Sequence, residues 1–242
     1  MNTAFLTIFG LLFGSFLNVL ILRIPKNESV IFPSSHCAVC NTPLKWYHNI
    51  PLLSWIFLGG KCAYCKEKIS FQYPLVEFAA ALLFFICALK EESLYSALVT
   101  GVIFALLLGL SLIDLRYKAV PDSLSLSALI LALAFPEILS KLQYALLFAG
   151  GFALLRIFIS AVIKKEAMGE ADIIIAAIIG AMLGIPLGLT AIYLSALFAL
   201  PVFFIVAKRG FELPFIPFLS FGLFVAYLFD SQISTLLKYI YE

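Results

Sequence analysis

The feature that most limits what this chain can become is the length of its apolar runs. Eight stretches of about 17–22 predominantly apolar residues can be drawn, at roughly 4–22, 73–89, 94–114, 123–139, 142–163, 172–187, 189–207 and 214–230. That is the length at which a helix crosses a ~30 Å hydrocarbon layer. The division inside 172–207 rests on Ile185-Pro186-Leu187-Gly188, the only obvious break there. With 63% hydrophobic and 12% charged residues and a mean hydropathy of +1.09, the chain stands far from the roughly 25% charge of soluble domains. A soluble fold is excluded. The first run, Thr3 to Leu22, has no basic segment before it and no small-residue cleavage site before Arg23, so a retained span is expected rather than a secretory signal.

Lysine and arginine near span ends are held in the cytoplasm, which turns their distribution into an orientation. Arg23, Lys26, Lys45, Lys61, Lys66, Lys68, Arg116, Lys118, Lys164, Lys165, Lys208 and Arg209 fall on one side, and only Lys90, Lys141 and Lys238 on the other. Twelve against three places the long 23–72 loop in the cytoplasm and both termini outside. The net charge of +2 carries no nucleic-acid signal, because the basic residues are spread over loops that the membrane orients.

Four of the five cysteines form Cys37-x-x-Cys40 and Cys62-x-x-Cys65, with 21 residues between the pairs, inside that loop. Disulfides are disfavoured in a reducing cytosol, so four thiolates around one zinc ion are expected. A loop of this size has few aliphatic runs, and a structural metal would supply folding energy that burial cannot. Two unligated or redox-active thiol pairs are the plainer alternative. His36 and His48 are further ligand candidates that read better as loop hydrogen-bonders. Cys87, alone in a span, reads as a small buried hydrophobe. The expected architecture is therefore an all-α polytopic membrane helix bundle carrying a small cytoplasmic zinc-binding loop domain.

Ionisable residues within spans are costly and point to function. Asp114 closes the run Gly101 to Ile113 and Asp172 opens the run Ile173 to Gly184, both at the cytoplasmic boundary on different helices. Two carboxyl groups brought together in a water-accessible, low-dielectric site share a proton: the ionised one activates water while the protonated one polarises a carbonyl. That is peptide hydrolysis without serine, cysteine or metal, and it makes the pair the candidate catalytic residues. The same residues also fit a helix cap at Asp172 and a pairing of Asp114 with Arg116 or Lys118. Asp122 after Pro121 reads as an ordinary helix start. Arg156 suits either snorkelling or a carboxylate partner. Glu77 suits either the bundle interior or first-turn helix stabilisation.

Taken in order, Gly14-Ser15-Phe16-Leu17-Asn18-Val19 with Arg23-Ile24-Pro25, the cysteine pairs around Asn49-Ile50-Pro51-Leu52-Leu53-Ser54-Trp55, Tyr73-Pro74-Leu75-Val76-Glu77, Asp114 with Val120-Pro121-Asp122, and Gly169-Glu170-Ala171-Asp172 resemble the type IV prepilin peptidases. The resemblance covers nearly the whole chain. One departure stands out: Ala171 replaces the second glycine of the usual GxGD motif, a change compatible with any site whose φ is negative. The resemblance implies a bacterial inner-membrane aspartyl peptidase that removes the leader of prepilins or pseudopilins at the cytoplasmic face. It also implies N-methylation of the new terminus by S-adenosylmethionine, with the donor bound near Gly14, Asn18 and Glu77. The domain division that follows is a first span at 1–22, a zinc-binding and methyltransferase loop at 23–72, and a peptidase bundle at 73–242. Gly14-Ser15 also suits close helix packing, and a transporter or a non-catalytic assembly protein remains the rival class.

Overall fold

The computed structural model describes residues 2–164, 168–206 and 213–241. Lys165, Lys208 and Arg209 of the charge count lie outside the described residues. Among the described residues the regular elements are helical, with no strand and only two isolated bridges, His36 with Pro43 and Lys61 with Lys68. The all-α expectation holds. The chain packs as two compact units, residues 1–109 and 110–242.

In the first unit, α1 (Asn2–Arg23) pairs with α3 (Gln72–Lys90), and between them lie the cysteine loop and the short α2 (Leu53–Phe57). Leu6, Gly10, Gly14, Leu17, Asn18 and Ile21 form the buried stripe of α1, recurring at helical spacing. A side chain on Gly14 would stand 2.7 Å from Glu77 Cα, and one on Gly10 2.9 Å from Ala81 Cα, so the two backbones approach closely only because both residues lack a Cβ. Phe5, Ile8, Leu12 and Phe16 form the opposite, exposed stripe. α4 (Leu94–Tyr117) begins in this unit, where Gly101 lies against the Phe84 ring. Cys87 is fully buried, as expected.

In the second unit, α5 (Asp122–Leu133), α6 (Ile138–Ile163), α8 (Ile216–Leu228) and α9 (Asp230–Tyr241) gather around α7 (Glu170–Val206). The 37 residues of α7 would make an unbroken helix of about 55 Å, but Gly184 at φ 69, ψ −165 breaks it. Cβ atoms added at Gly180 and Gly188 would lie 2.8 Å and 2.6 Å from atoms of the single Phe148 ring. Residues eight apart on a straight helix stand about 12 Å apart, more than the ring spans, so the helix bends at the break. Lys141 Nζ donates to the Ala181 carbonyl at 3.3 Å in the last turn before it, where carbonyls lose their amide partners.

The span boundaries differ from expectation in three places. α5 has 12 residues, about 18 Å, because Pro136 and the left-handed Glu137 (φ 65) end the run that sequence carries to 139. The break in α7 falls at Gly184, just before Ile185-Pro186. The run at 214–230 is the 13-residue α8, bent by 79° into α9. Among the described residues, five helices are long and apolar enough to cross a membrane, or six with the bent pair counted as one.

Candidate active site and metal centre

Asp114 lies in the last turn of α4 and Asp172 in the first turn of α7, and they are 8% and 7% exposed. The helix brings Asp172 inward because Ile175, Ala176, Ile178 and Ile179 behind it are all buried. Its Oδ2 accepts the Gly169 amide at 3.0 Å, a side chain reaching back over its own helix start. Asp114 Oδ2 accepts the Ile216 amide at 3.3 Å, from the first residue of α8, 102 positions away. The two carboxyl groups are near enough for the charge of Asp114 to act on Asp172. The structure thus buries both sequence-predicted aspartates at helix ends of the second unit. Asp172 is not the N-cap of α7 but its third residue, and its bond goes back to Gly169, ahead of the helix. Ala171 sits in helical backbone one residue before it, a conformation that alanine adopts without strain. Asp122 is exposed at the start of α5, as an ordinary helix opening. Arg156 pairs with a carboxylate, both terminal nitrogens reaching Glu170 Oε1 at 3.2 Å and 3.3 Å.

In the first unit Glu77 is 7% exposed, and its Oε2 accepts the amide of Leu52 at 2.8 Å. Leu52 holds φ 60, ψ −52, a left-handed conformation rare for a branched residue, at the entry to α2. Asn18, 1% exposed, donates from Nδ2 to the carbonyls of Gly14 and Tyr73 at 3.3 Å and 3.1 Å, while its buried Oδ1 has no partner. Gly14, Asn18 and Glu77 therefore share one α1–α3 seam. The close packing considered for Gly14 is observed there.

The four thiols of Cys37, Cys40, Cys62 and Cys65 lie within 4.8 Å of one another, and Cys37 and Cys65 sulfurs are 3.7 Å apart. All are free thiols. A tetrahedral ion with ~2.3 Å bonds to sulfur separates its ligands by about 3.8 Å, so the set is able to hold a metal ion. Each pair sits in the same turn. The Cys37 amide donates to Thr42 and the Asn41 amide returns to Cys37; the Cys62 amide donates to Glu67 and the Lys66 amide returns to Cys62. Asn41 (φ 55) and Lys66 (φ 61) take the left-handed position after the second cysteine of each pair. The turns also tune the thiols. Hydrogen bonds from the Thr42 side chain and amide pull Cys40 down to about 6, and the Cys65 and Tyr64 amides lower Cys62. At Cys65 the Glu67 amide acts downward, but burial and the neighbouring thiols outweigh it and hold the group up at about 12. His36 Nδ1 meets the Ser34 carbonyl at 2.9 Å, and His48 makes edge-to-face contacts with the Tyr47 and Tyr64 rings. The metal-capable cluster contains neither.

Comparison with known proteins follows the same division. The Bacterial Peptidase A24 N-terminal domain matches residues 8–91 and the Type IV leader peptidase family matches 101–205. The type 4 prepilin-like proteins leader peptide-processing enzyme of Escherichia coli O78:H11 is 36% identical over 242 residues, covering 89% of this chain and 90% of that protein. The chain belongs to the type IV leader peptidase family. The prepilin leader peptidase/N-methyltransferase of Bacillus subtilis is 33% identical, with 96% and 97% covered. That of Myxococcus xanthus is 40% identical over 185 residues, 74% of this chain and 55% of the longer relative. No solved structure matches. This leader peptidase family member is thus a multi-pass membrane protein. What sequence reasoning missed is the amide donors at Gly169, Ile216 and Leu52. Only Gly169, three residues before Asp172 in a capping pattern, left a local signal.

Proposed function

We propose that this protein is an aspartyl endopeptidase that removes the leader of type IV prepilins or pseudopilins at the cytoplasmic face of the bacterial inner membrane, and that it methylates the exposed α-amine. Two carboxyl groups buried at helix ends of one unit, Asp114 and Asp172, carry this reading. One carboxylate takes a proton from water as the water oxygen attacks the scissile carbonyl carbon. The other, protonated, hydrogen-bonds the carbonyl oxygen as negative charge develops there. The carbon–nitrogen bond then breaks, and the leaving amine takes the proton held by the first carboxyl. The bonds from Gly169 and Ile216 fix where both carboxyl groups point.

The thiol cluster is read as a closed structural zinc site, since four sulfur ligands leave no open position for chemistry. S-adenosylmethionine would supply the methyl group. A buried carboxylate at Glu77 and an unpartnered acceptor at Asn18 suit the ammonium of such a donor, and Gly14 admits no side chain beside them. The loop lies in the cytoplasm by the charge distribution, so leader and donor are met on one side.

The test is cleavage of a prepilin-like peptide in purified membranes by wild type, Asp114→Asn and Asp172→Asn, with the mass of the product's N-terminus determined. Loss of cleavage in both variants and a one-methyl gain that requires S-adenosylmethionine are expected. Full-rate cleavage by either variant overturns the pair.

A further inference from the structure

The stretch between the two cysteine turns is unlike the rest of its loop. From Trp46 to Gly60 it contains no lysine, arginine, aspartate or glutamate, and Lys45 and Lys61 bracket it. Several of its large side chains point outward rather than into a core: Trp46 is 80% exposed, Phe57 83%, Ile56 62% and Leu53 52%. A water-facing loop with this pattern would present a contiguous apolar patch of the kind soluble surfaces avoid.

Its position against the spans explains the pattern. Ile50 to Leu53 form one wall of an open groove of about 330 Å³ whose other wall is Ile8, Leu11 and Leu12 of α1. Ile8 and Leu12 belong to the exposed stripe of α1, so the loop residues share the surroundings of a membrane span. Leu12 lies 11 residues before Arg23, about 16 Å down the helix from its basic end. On α3, Glu77, which takes the Leu52 amide, lies five residues in from Gln72, about 8 Å along the axis. Both neighbours set this part of the loop well below the ends of the spans that flank it.

Backbone at such depth must have its amides satisfied without water. Here the Leu53, Ser54, Ile56, Leu58 and Gly60 amides all donate to carbonyls of the same segment. Leu52, whose left-handed backbone opens the short helix, is served by Glu77. That assigns the costly carboxylate of α3 a structural task.

We propose that residues 46–60 form a re-entrant hairpin immersed in the bilayer, with lipid acyl chains as the occupant of its exposed apolar face and of the groove against α1. The inference holds whether or not the methyl donor binds at Glu77.

Two measurements on the full chain in phosphatidylcholine vesicles test it. Unaltered protein is photolabelled with a carbene reagent confined to the acyl region, and its peptides are mapped. Label in 50–58, alongside the spans, is expected; label in the spans with none in 50–58 overturns the proposal. Single-tryptophan proteins are then made by replacing both native tryptophans with phenylalanine and adding Phe57→Trp, Leu53→Trp or, as the water-facing reference, Tyr64→Trp in the second cysteine turn. Tryptophan at 57 and 53 is expected to lose most of its emission to brominated lipid and little to iodide, with the reverse at 64. Quenching of the first two by iodide overturns the proposal. So does protection from both quenchers, the result expected if a second copy of the chain covered the segment.

Discussion

At the scale of single residues, the carboxyl pair separates chemistry from support. Asparagine keeps an oxygen able to accept the Gly169 or Ile216 amide but cannot transfer a proton. Asp114→Asn and Asp172→Asn are therefore each expected to lower kcat about 10²–10⁴-fold while shifting the thermal midpoint little, measured as peptide cleavage beside thermal unfolding in detergent. At Ala171 the backbone is helical, so glycine gains nothing there. Ala171→Gly is expected to leave the cleavage rate unchanged and to lower stability by at most ~1 kcal/mol. Glu77 supports a third prediction. Glu77→Ala leaves the Leu52 amide without an acceptor and is expected to destabilise the first unit by about 1–3 kcal/mol, whereas Glu77→Gln retains one and loses much less. Limited proteolysis of the loop against denaturant reads both. Asp114 and Asp172 were legible in sequence because charge is rare in apolar runs. Their amide partners were not, since a backbone donor 102 residues away leaves no residue-type signature.

At the scale of elements, legibility followed how many signals agreed. The apolar runs match α1, α3, α4 and α6 nearly end to end because length, hydropathy and basic ends coincide there. The apolar run at α5 outlasts the helix because Ala134 and Phe135 continue it past Leu133, and apolarity does not say whether an apolar residue is helical. The paired cysteine turns were legible from spacing alone, and their repeated bonding adds a prediction. Metal binding requires thiolates, so protons compete with the ion. A chelator at neutral pH, or mild acid without one, is expected to release one metal ion per chain and to expose the loop to protease, followed by metal analysis and digestion. Cys62→Ser should release it at higher pH than wild type, because a hydroxyl does not replace a buried thiolate ligand.

At the scale of the molecule, the two compact units coincide closely with the two matched family segments, and the residues read as peptidase and as methyl-donor site fall in different units. Asp172→Asn is therefore expected to methylate a peptide supplied already cleaved, and Glu77→Ala to retain leader cleavage, measured by product mass in separate assays. The thiol cluster has one more consequence at this scale, in chain statistics. With a metal ion bound, residues 40 and 62 would stand at neighbouring corners of it and close the mouth of a 21-residue loop. Closure entropy grows only with the logarithm of loop length, so once the mouth is shut the insert can gain or lose residues at its Gly59-Gly60 end at little further entropic expense. Such an ion would separate the accuracy of the turns from the length of what they carry, leaving the insert free to vary with the thickness of the membrane around it.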